Sequence, residues 1–489
     1  MKNTFAPINR IPREVLSIIP DYWAAEDTGE ELIALTHVCH DWRELFTSRP
    51  SLWAHLDCTN IDKTRVYIER SGVSPLKIHL YEESTPVFND AFLLTVPHLS
   101  RLGSLSLWGS SDNLVELVNK YFSSPAPFLK KLKICFTPAD PHTTKAVIFD
   151  GDLSLLRELR LSGVLTSLPW KNLSNLTTFD FRRVPNDKIS VTQLLDFFEC
   201  APLLRNIKLW HAFPSTSNAP PGRIVSLPRL KNLIITAQPA HHILLKHLSI
   251  PTGASLILEF DFDSEKSPIP DYLPKPFKNL NNLSHITSVN LSCNSNVSLR
   301  LNGPRGGLYV YGYWIGAAPS LLVVHRRALR SLNHFGISVT ERLMITEYAT
   351  LPPPKIEKSS VYKTLLLMKA LRTLVLSNCL NLPFASALNP NQTPSRTVVC
   401  PELEELVLYV EKKERFCINE LLKMVKERAS RGTKLSTITI VSSREFMPAN
   451  EVLKLRNYVP RVEYRLDNVV PRWDDIPNHV DNTGFESGW

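Results

Sequence analysis

One short phrase, Leu-x-x-Leu-x-Leu, returns along most of this chain. It stands at 102–107 (LGSLSL), 129–134 (LKKLKI), 156–161 (LRELRL), 176–181 (LTTFDF), 204–209 (LRNIKL) and 230–235 (LKNLII), with starts 20 to 28 residues apart. It recurs at 286–291 (ITSVNL), 332–337 (LNHFGI), 371–376 (LRTLVL), 403–408 (LEELVL) and 435–440 (LSTITI), with weaker copies at 76–80 (LKIHL), 256–260 (LILEF) and 308–312 (LYVYG). Apolar positions separated by one polar position have strand spacing, so each copy predicts a short strand with one face turned inward. The intervening stretches 112–122, 192–199 and 418–432 instead carry apolar residues at helical spacing and end near Pro or Gly. Strand and return helix in alternation predict a parallel stack with right-handed crossovers and the helices outside.

Three stretches interrupt the rhythm: PIPDYLPKPF (268–277), LNGPRGGLYVYGYWIG (301–316) and ATLPPPKIEKSS (349–360). Their Pro and Gly content predicts loops projecting from the stack.

The first 60 residues follow a different pattern. INRIPREVLSIIP (8–20) predicts a helix of little more than two turns, with Ile11, Val15, Leu16, Ile18 and Ile19 on its apolar face. Thr28 and Glu31 have capping-box spacing, predicting a second helix from Gly29 to about Phe46. Along it Leu32, Leu35, Val38 or Cys39, Trp42 and Leu45 or Phe46 form one stripe, while His37, His40, Asp41 and Glu44 take the other side. A unit of this size is near the lower limit for an independent core, so the stripe calls for another surface to complete it.

Charge sharpens that division. Residues 1–60 hold nine acids and five bases, a net −4 within a chain total of +9, which leaves +13 for the remainder. The acidic head and basic body are therefore expected to meet different partners. The eight Cys are spread out with no Cys-x-x-Cys pair and no clustered set of Cys and His ligands, so neither a zinc site nor a disulfide scaffold is expected, and a cytoplasmic or nuclear location fits reduced thiols. No stretch has the apolar length of a membrane span. Only 17 of 489 residues are Gly, and Gly-x-Ser-x-Gly, P-loop and His-Glu-x-x-His motifs are all missing. No catalytic residue, metal or cofactor is expected. The histidines of HHILLKH, His241, His242 and His247, have neither helical-pair nor strand spacing for a metal and predict a helix surface. GPRGG (303–307) predicts a turn rather than a phosphate loop.

The order Ile11-Pro12-x-Glu14-Val15-Leu16, then an apolar helix, then Val38-Cys39-x-x-Trp42-Arg43-x-Leu45, then Pro50-x-Leu52-Trp53 resembles the F-box motif. The likeness covers residues 8–53, about a tenth of the chain; Ile11 stands where the family usually has Leu, and the link DYWAAEDTGEE is longer and more acidic than usual. From about residue 70 to 465 the chain resembles leucine-rich-repeat proteins. Together these resemblances imply an α/β chain: an F-box-like helical head (1–60), a linker and capping repeat (61–98), a leucine-rich-repeat solenoid (99–466) with a curved parallel sheet inside and helices and loops outside, and a flexible acidic tail (467–489). They imply a non-catalytic substrate receptor of an SCF-type, cullin-RING ubiquitin ligase acting in ubiquitin-dependent degradation. Its head would dock a Skp-type adaptor and thereby the cullin, through Ile11, Pro12, Leu16, Ile19, Leu35, Val38, Cys39 and Trp42. Outward strand positions would bind the protein substrate, with Trp108, Lys131, Lys133, Arg160, Arg182, Lys208 and Trp210 forming a cationic, Trp-bearing stripe suited to an acidic or phosphorylated segment. The equivalent positions of the C-terminal half, such as Asn290, Val375 and Thr439, predict a nearly neutral face. Two other classes remain open: a repeat scaffold without ubiquitin transfer, and, supported by charge alone, a nucleic-acid binder.

Overall fold

The computed structural model describes residues 11–16, 18, 30–81, 90–109, 111–136, 144–146, 149, 153–166, 173–184, 189–212, 222–236, 239–262, 273, 277–293, 297–314, 329, 331–347, 358–377, 381–393, 396–410, 416–445 and 447–467. The fold is mixed α/β, built on mostly parallel sheet, and it divides into two compact units, Met1–Asn218 and Ala219–Trp489. Among the described residues no helix is long and apolar enough to cross a membrane. The 467–489 tail lies outside the described residues beyond Asp467.

In the first unit seven strands pair in the order of the sequence, all parallel: β1 (His55–Leu56), β2 (Leu76–Tyr81), β3 (Leu102–Gly109), β4 (Lys131–Phe136), β5 (Glu158–Ser162), β6 (Thr178–Val184) and β7 (Asn206–Ala212). The ladder begins at His55–Leu56, inside the predicted head, and LKIHL, in the predicted linker, is a full member of it. Register converts the repeated phrase into two continuous inner rows. Ile78, Leu105, Leu132, Leu159, Phe179 and Ile207 form one; Leu80, Leu107, Ile134, Leu161, Phe181 and Leu209 form the other. All are buried, each worth about 1.5–3 kcal/mol relative to exposure. Helices cover this face. The helix Val191–Cys200 starts at a capping box between Ser190 and Gln193, and its Phe197 ring lies 4.5 Å from Phe179.

In the second unit, apart from the short pair Val225–Ser226 and Leu248–Ser249, ten strands among the described residues run β8 (Asn232–Thr236), β9 (Ser255–Phe262), β10 (Ser288–Cys293), β11 (Val297–Asn302), β12 (Gly307–Trp314), β13 (Arg342–Glu347), β14 (Thr373–Ser377), β15 (Glu405–Val410), β16 (Thr437–Ser442) and β17 (Arg461–Leu466). Their spatial order is not sequential. β9 pairs in parallel with β12, then β12–β11–β10 form an antiparallel meander, and β10 returns to a parallel partner in β13. Links of 294–296 and 303–306 are far too short for a parallel crossover, which takes a dozen or more residues, so these strands must fold back on themselves. Alternation still turns Val289, Leu291, Leu299, Leu301, Leu308 and Val310 inward. The helices Lys358–Leu367, Asn381–Leu388 and Ile418–Ser430 pack one against the next.

LNGPRGGLYVYGYWIG is not a projecting loop: 301–302 and 307–314 are strand, with GPRG as the turn between them. LNHFGI is not a strand; its repeat places the strand later, at Arg342–Glu347. His241 and His247 are buried rather than on a helix surface, and His247 Nδ1 lies 2.7 Å from the Arg223 carbonyl. Of the other predicted loops, 268–277 apart from Leu273 and Phe277, and 349–357, lie outside the described residues, while 358–360 are not loop but the start of the helix Lys358–Leu367.

The GPRG turn also explains its glycines. A Cβ on Gly307 would sit 2.1 Å from the Leu301 carbonyl oxygen, and one on Gly306 2.3 Å from that of Ala254, whereas Gly336 has open space around it. Gly307→Ala is therefore expected to cost about 1–3 kcal/mol by overpacking, with Gly336→Ala within ~0.5 kcal/mol of the parent, both read by urea denaturation.

Candidate interaction surfaces

The head folds as two short helices where one was predicted. Glu30–Thr36 ends in a turn at His37 and Val38, and His40–Thr47 restarts after Cys39, whose backbone is extended at φ −159° and ψ 175°. The Thr36 hydroxyl donates to the Ile33 carbonyl at 2.7 Å, and Arg43 Nε donates to the Thr36 carbonyl at 3.0 Å, tying both sides of the break together. The break divides the predicted stripe. Leu32, Leu35, Trp42 and Phe46 turn inward and are buried, Trp42 meeting Phe46 edge-on at 5.4 Å, while Val38 and Cys39 are thrown outward.

The first helix is also shorter than predicted, a single turn at Arg13–Leu16. Leu16 is buried, Ile11 half-buried, and Pro12, Val15 and Ile18 exposed; Ile19 lies outside the described residues. The capping box cannot be placed, because Thr28 also lies outside them. Of the predicted adaptor residues, then, Leu16, Leu35 and Trp42 build the head's core, and Pro12, Val38 and Cys39 stand on its surface. Val15, Ile18 and Ile33 are also exposed, at 49, 49 and 36 %. Trp53 belongs to neither group. Its indole donates to the Phe46 carbonyl at 2.9 Å, its ring meets Tyr67 at 5.0 Å, and the Arg70 guanidinium covers it at 4.4 Å, so the helix Ile61–Ser71 seals it.

The second surface is the sheet face opposite the leucines in the first unit, where register assembles three rows. One runs Lys77, Ser104, Lys131, Glu158, Thr178, Asn206; the next His79, Ser106, Lys133, Arg160, Asp180, Lys208; the third Tyr81, Trp108, Cys135, Ser162, Arg182, Trp210. All seven predicted substrate residues share this face. Lys77 and Tyr81, absent from the sequence-based set, join them, and the alternation of LKIHL was the signal that could have found them.

The face is not the simple cationic stripe expected. Glu158 serves three cations, with Arg160 Nε at 2.6 Å, Lys131 Nζ at 3.5 Å and Lys133 Nζ at 3.9 Å. The Arg160 contact is an ion pair without hydrogen-bond geometry. Asp180, fully buried, accepts two bonds from Arg182 at 2.7 and 2.6 Å. Arg160 and Arg182 are themselves buried, whereas Lys131 is exposed and Lys133, Lys208, Trp108 and Trp210 are half-buried. Trp210 lies within reach of both Arg182, at 5.4 Å, and Lys208, at 5.1 Å, and Trp108 lies against Tyr81 at 5.9 Å.

No protein-family model and no curated protein matches the chain.

In the second unit the corresponding middle row reads Ile234, Ile257, Tyr309, Arg300, Asn290, Met344, Val375, Val407, Thr439 and Glu463. Of the predicted neutral positions, Asn290, Val375 and Thr439 fall in this row as expected. Arg300 lies over the Tyr309 ring at 4.7 Å.

Two outcomes follow. Asp180→Ala leaves the Arg182 charge buried without its carboxylate and is expected to cost about 3–5 kcal/mol, with Asp180→Ala/Arg182→Met recovering most of it in the same denaturation assay. Burial pushes the Cys58 and Cys400 thiols up to about 12, so N-ethylmaleimide at pH 8 should alkylate exposed Cys39 at least ~10-fold faster than either, as read by peptide mass spectrometry.

Proposed function

We propose that the chain is the substrate-recognition subunit of an SCF-type cullin-RING ubiquitin ligase. In this reading residues 1–60 are an F-box-like head that docks a Skp-type adaptor, and 99–466 are a leucine-rich-repeat solenoid that holds the target protein. The chain performs no chemistry of its own. It raises the effective concentration of the target at the ubiquitin-transfer centre, which converts a bimolecular encounter into a local one.

The observation that carries this reading is the way the head divides its apolar residues. Leu16, Leu32, Leu35, Trp42 and Phe46 satisfy one another or their surroundings, yet Val15, Ile18, Ile33 and Val38 remain exposed, with Pro12 and Cys39 beside them. A head that served only as a cap for the first strands would have its apolar inventory covered. Burying four such side chains in an interface is worth several kcal/mol before association costs, about 1.5–3 kcal/mol for each that becomes fully covered. Glu14, Asp41 and Glu44 of the same segment are exposed and acidic. The second feature that supports the reading is the sequential parallel ladder of β1 to β7, whose inner rows repeat the Leu-x-x-Leu-x-Leu phrase.

The test is retention of a recombinant Skp-type adaptor by the purified full chain. Val15→Glu/Val38→Glu is expected to weaken adaptor binding at least ~30-fold, about 2 kcal/mol, with an unchanged melting temperature because both side chains are exposed. Trp42→Ala, by contrast, should lower the melting temperature of the head as a core deletion. No retention by the parent chain, or equal retention by the double variant, overturns the reading.

A further inference from the structure

We infer that the outward sheet face of the first unit binds a carboxylate-rich peptide of about six extended residues with an apolar or aromatic group near each end. This rests on reading the array as the target-binding part, but it does not require the head to dock an adaptor.

The charge balance of the face comes first. Its three rows hold Lys77, Lys131, Lys133, Arg160, Arg182 and Lys208 against only Glu158 and Asp180. One carboxylate, Glu158, stands among three cations and cannot neutralise them. Asp180 is engaged by both nitrogens of the Arg182 fork. The excess positive charge therefore resides on ammonium groups, and those of Lys131 and Lys133, which share Glu158 with Arg160, are on side chains that are exposed or half-buried.

Which anion suits this face follows from what the arginines are doing. Guanidinium forks recognise phosphate by meeting two oxygens at once, whereas lysine meets it as a point charge. Here both arginines are buried and each is paired with a carboxylate two residues away on its own strand, Arg160 with Glu158 and Arg182 with Asp180. The accessible charge is carried by lysines, which act as compact point charges and meet single carboxylates well.

Size and polarity come from the third row. Trp108 and Trp210 stand four strands apart, with the small side chains of Cys135 and Ser162 and the Asp180-paired Arg182 between them. Four steps of about 4.8 Å separate the two indoles by roughly 19 Å, which an extended chain spans in about six residues at ~3.3 Å each. A segment crossing the strands along this row would lay its ends on Trp108 and Trp210. Its acidic side chains would point to the lysine rows beside it, giving apolar anchors flanking a charged centre.

The test uses the full chain and four fluorescein-labelled probes: the octapeptide Leu-Asp-Glu-Asp-Glu-Asp-Glu-Phe, its Asn/Gln counterpart, the octapeptide Leu-(phosphoserine-Gly)₃-Phe, and a ten-nucleotide thymidine oligonucleotide, all followed by anisotropy at low and physiological salt. The acidic peptide is expected to bind at least ~10-fold more tightly than its neutral counterpart, and to weaken as salt rises. Lys131→Gln/Lys133→Gln and, separately, Trp210→Ala should each weaken it at least ~5-fold, while Lys131→Arg/Lys133→Arg retains it; circular dichroism reports whether each variant is folded. Equal binding of acidic and neutral peptides, tighter binding of the phosphopeptide or oligonucleotide, or no loss in the folded Lys131→Gln/Lys133→Gln variant overturns the inference. Adaptor retention measured on the same variants separates the two claims. Peptide binding without adaptor retention leaves this inference standing and removes the ligase reading; retention without peptide binding does the reverse.

Discussion

Everything in this structure depends on two rows of aliphatic and aromatic side chains stacked strand upon strand beneath each sheet. A parallel strand is stable only when a neighbour completes its hydrogen bonds and its apolar face is covered, and no single repeat supplies both. Register does the joining. A slip of one residue at β3, for example, would exchange Leu105 and Leu107 for Ser106 and Trp108 and break both inner rows at once. The same constraint builds the outer face, because fixing which residues point inward fixes which of Lys131, Lys133, Arg160 and Lys208 stand side by side.

That constraint also explains what could be read from the chain. Strand positions and the outward residues follow from alternation alone, so the seven proposed substrate residues were found together on one face. The meander at 288–314 was hidden because each of its strands carries the same alternation as a parallel repeat; only the shortness of its links distinguishes it. Neutralisation of Arg160 and Arg182 was hidden for a different reason. Glu158 and Asp180 are visible in the sequence, but pairing depends on which side chains become buried and how three cations converge on one carboxylate.

The head shows the limit of helical spacing as a guide. Leu35, Val38, Cys39 and Trp42 fit one continuous amphipathic helix, yet the extended backbone at Cys39 interrupts it. The interruption is what separates core from surface: without it Val38 would lie on the same stripe as Leu35 and Trp42. Three predicted docking residues thus became scaffold, and Val15, Ile18 and Ile33 became the more informative ones.

The proposed division of labour, an apolar head for one partner and a lysine-bearing sheet face for another, places the two surfaces on separate elements of the first unit, each with its own chemistry. Hydrogen–deuterium exchange of the full chain with and without a purified Skp-type adaptor tests the central claim most directly. The account predicts slowed exchange confined to residues 11–47, with the strands from 102 to 212 unchanged. Unchanged exchange throughout the head, or protection confined to those strands, would contradict it.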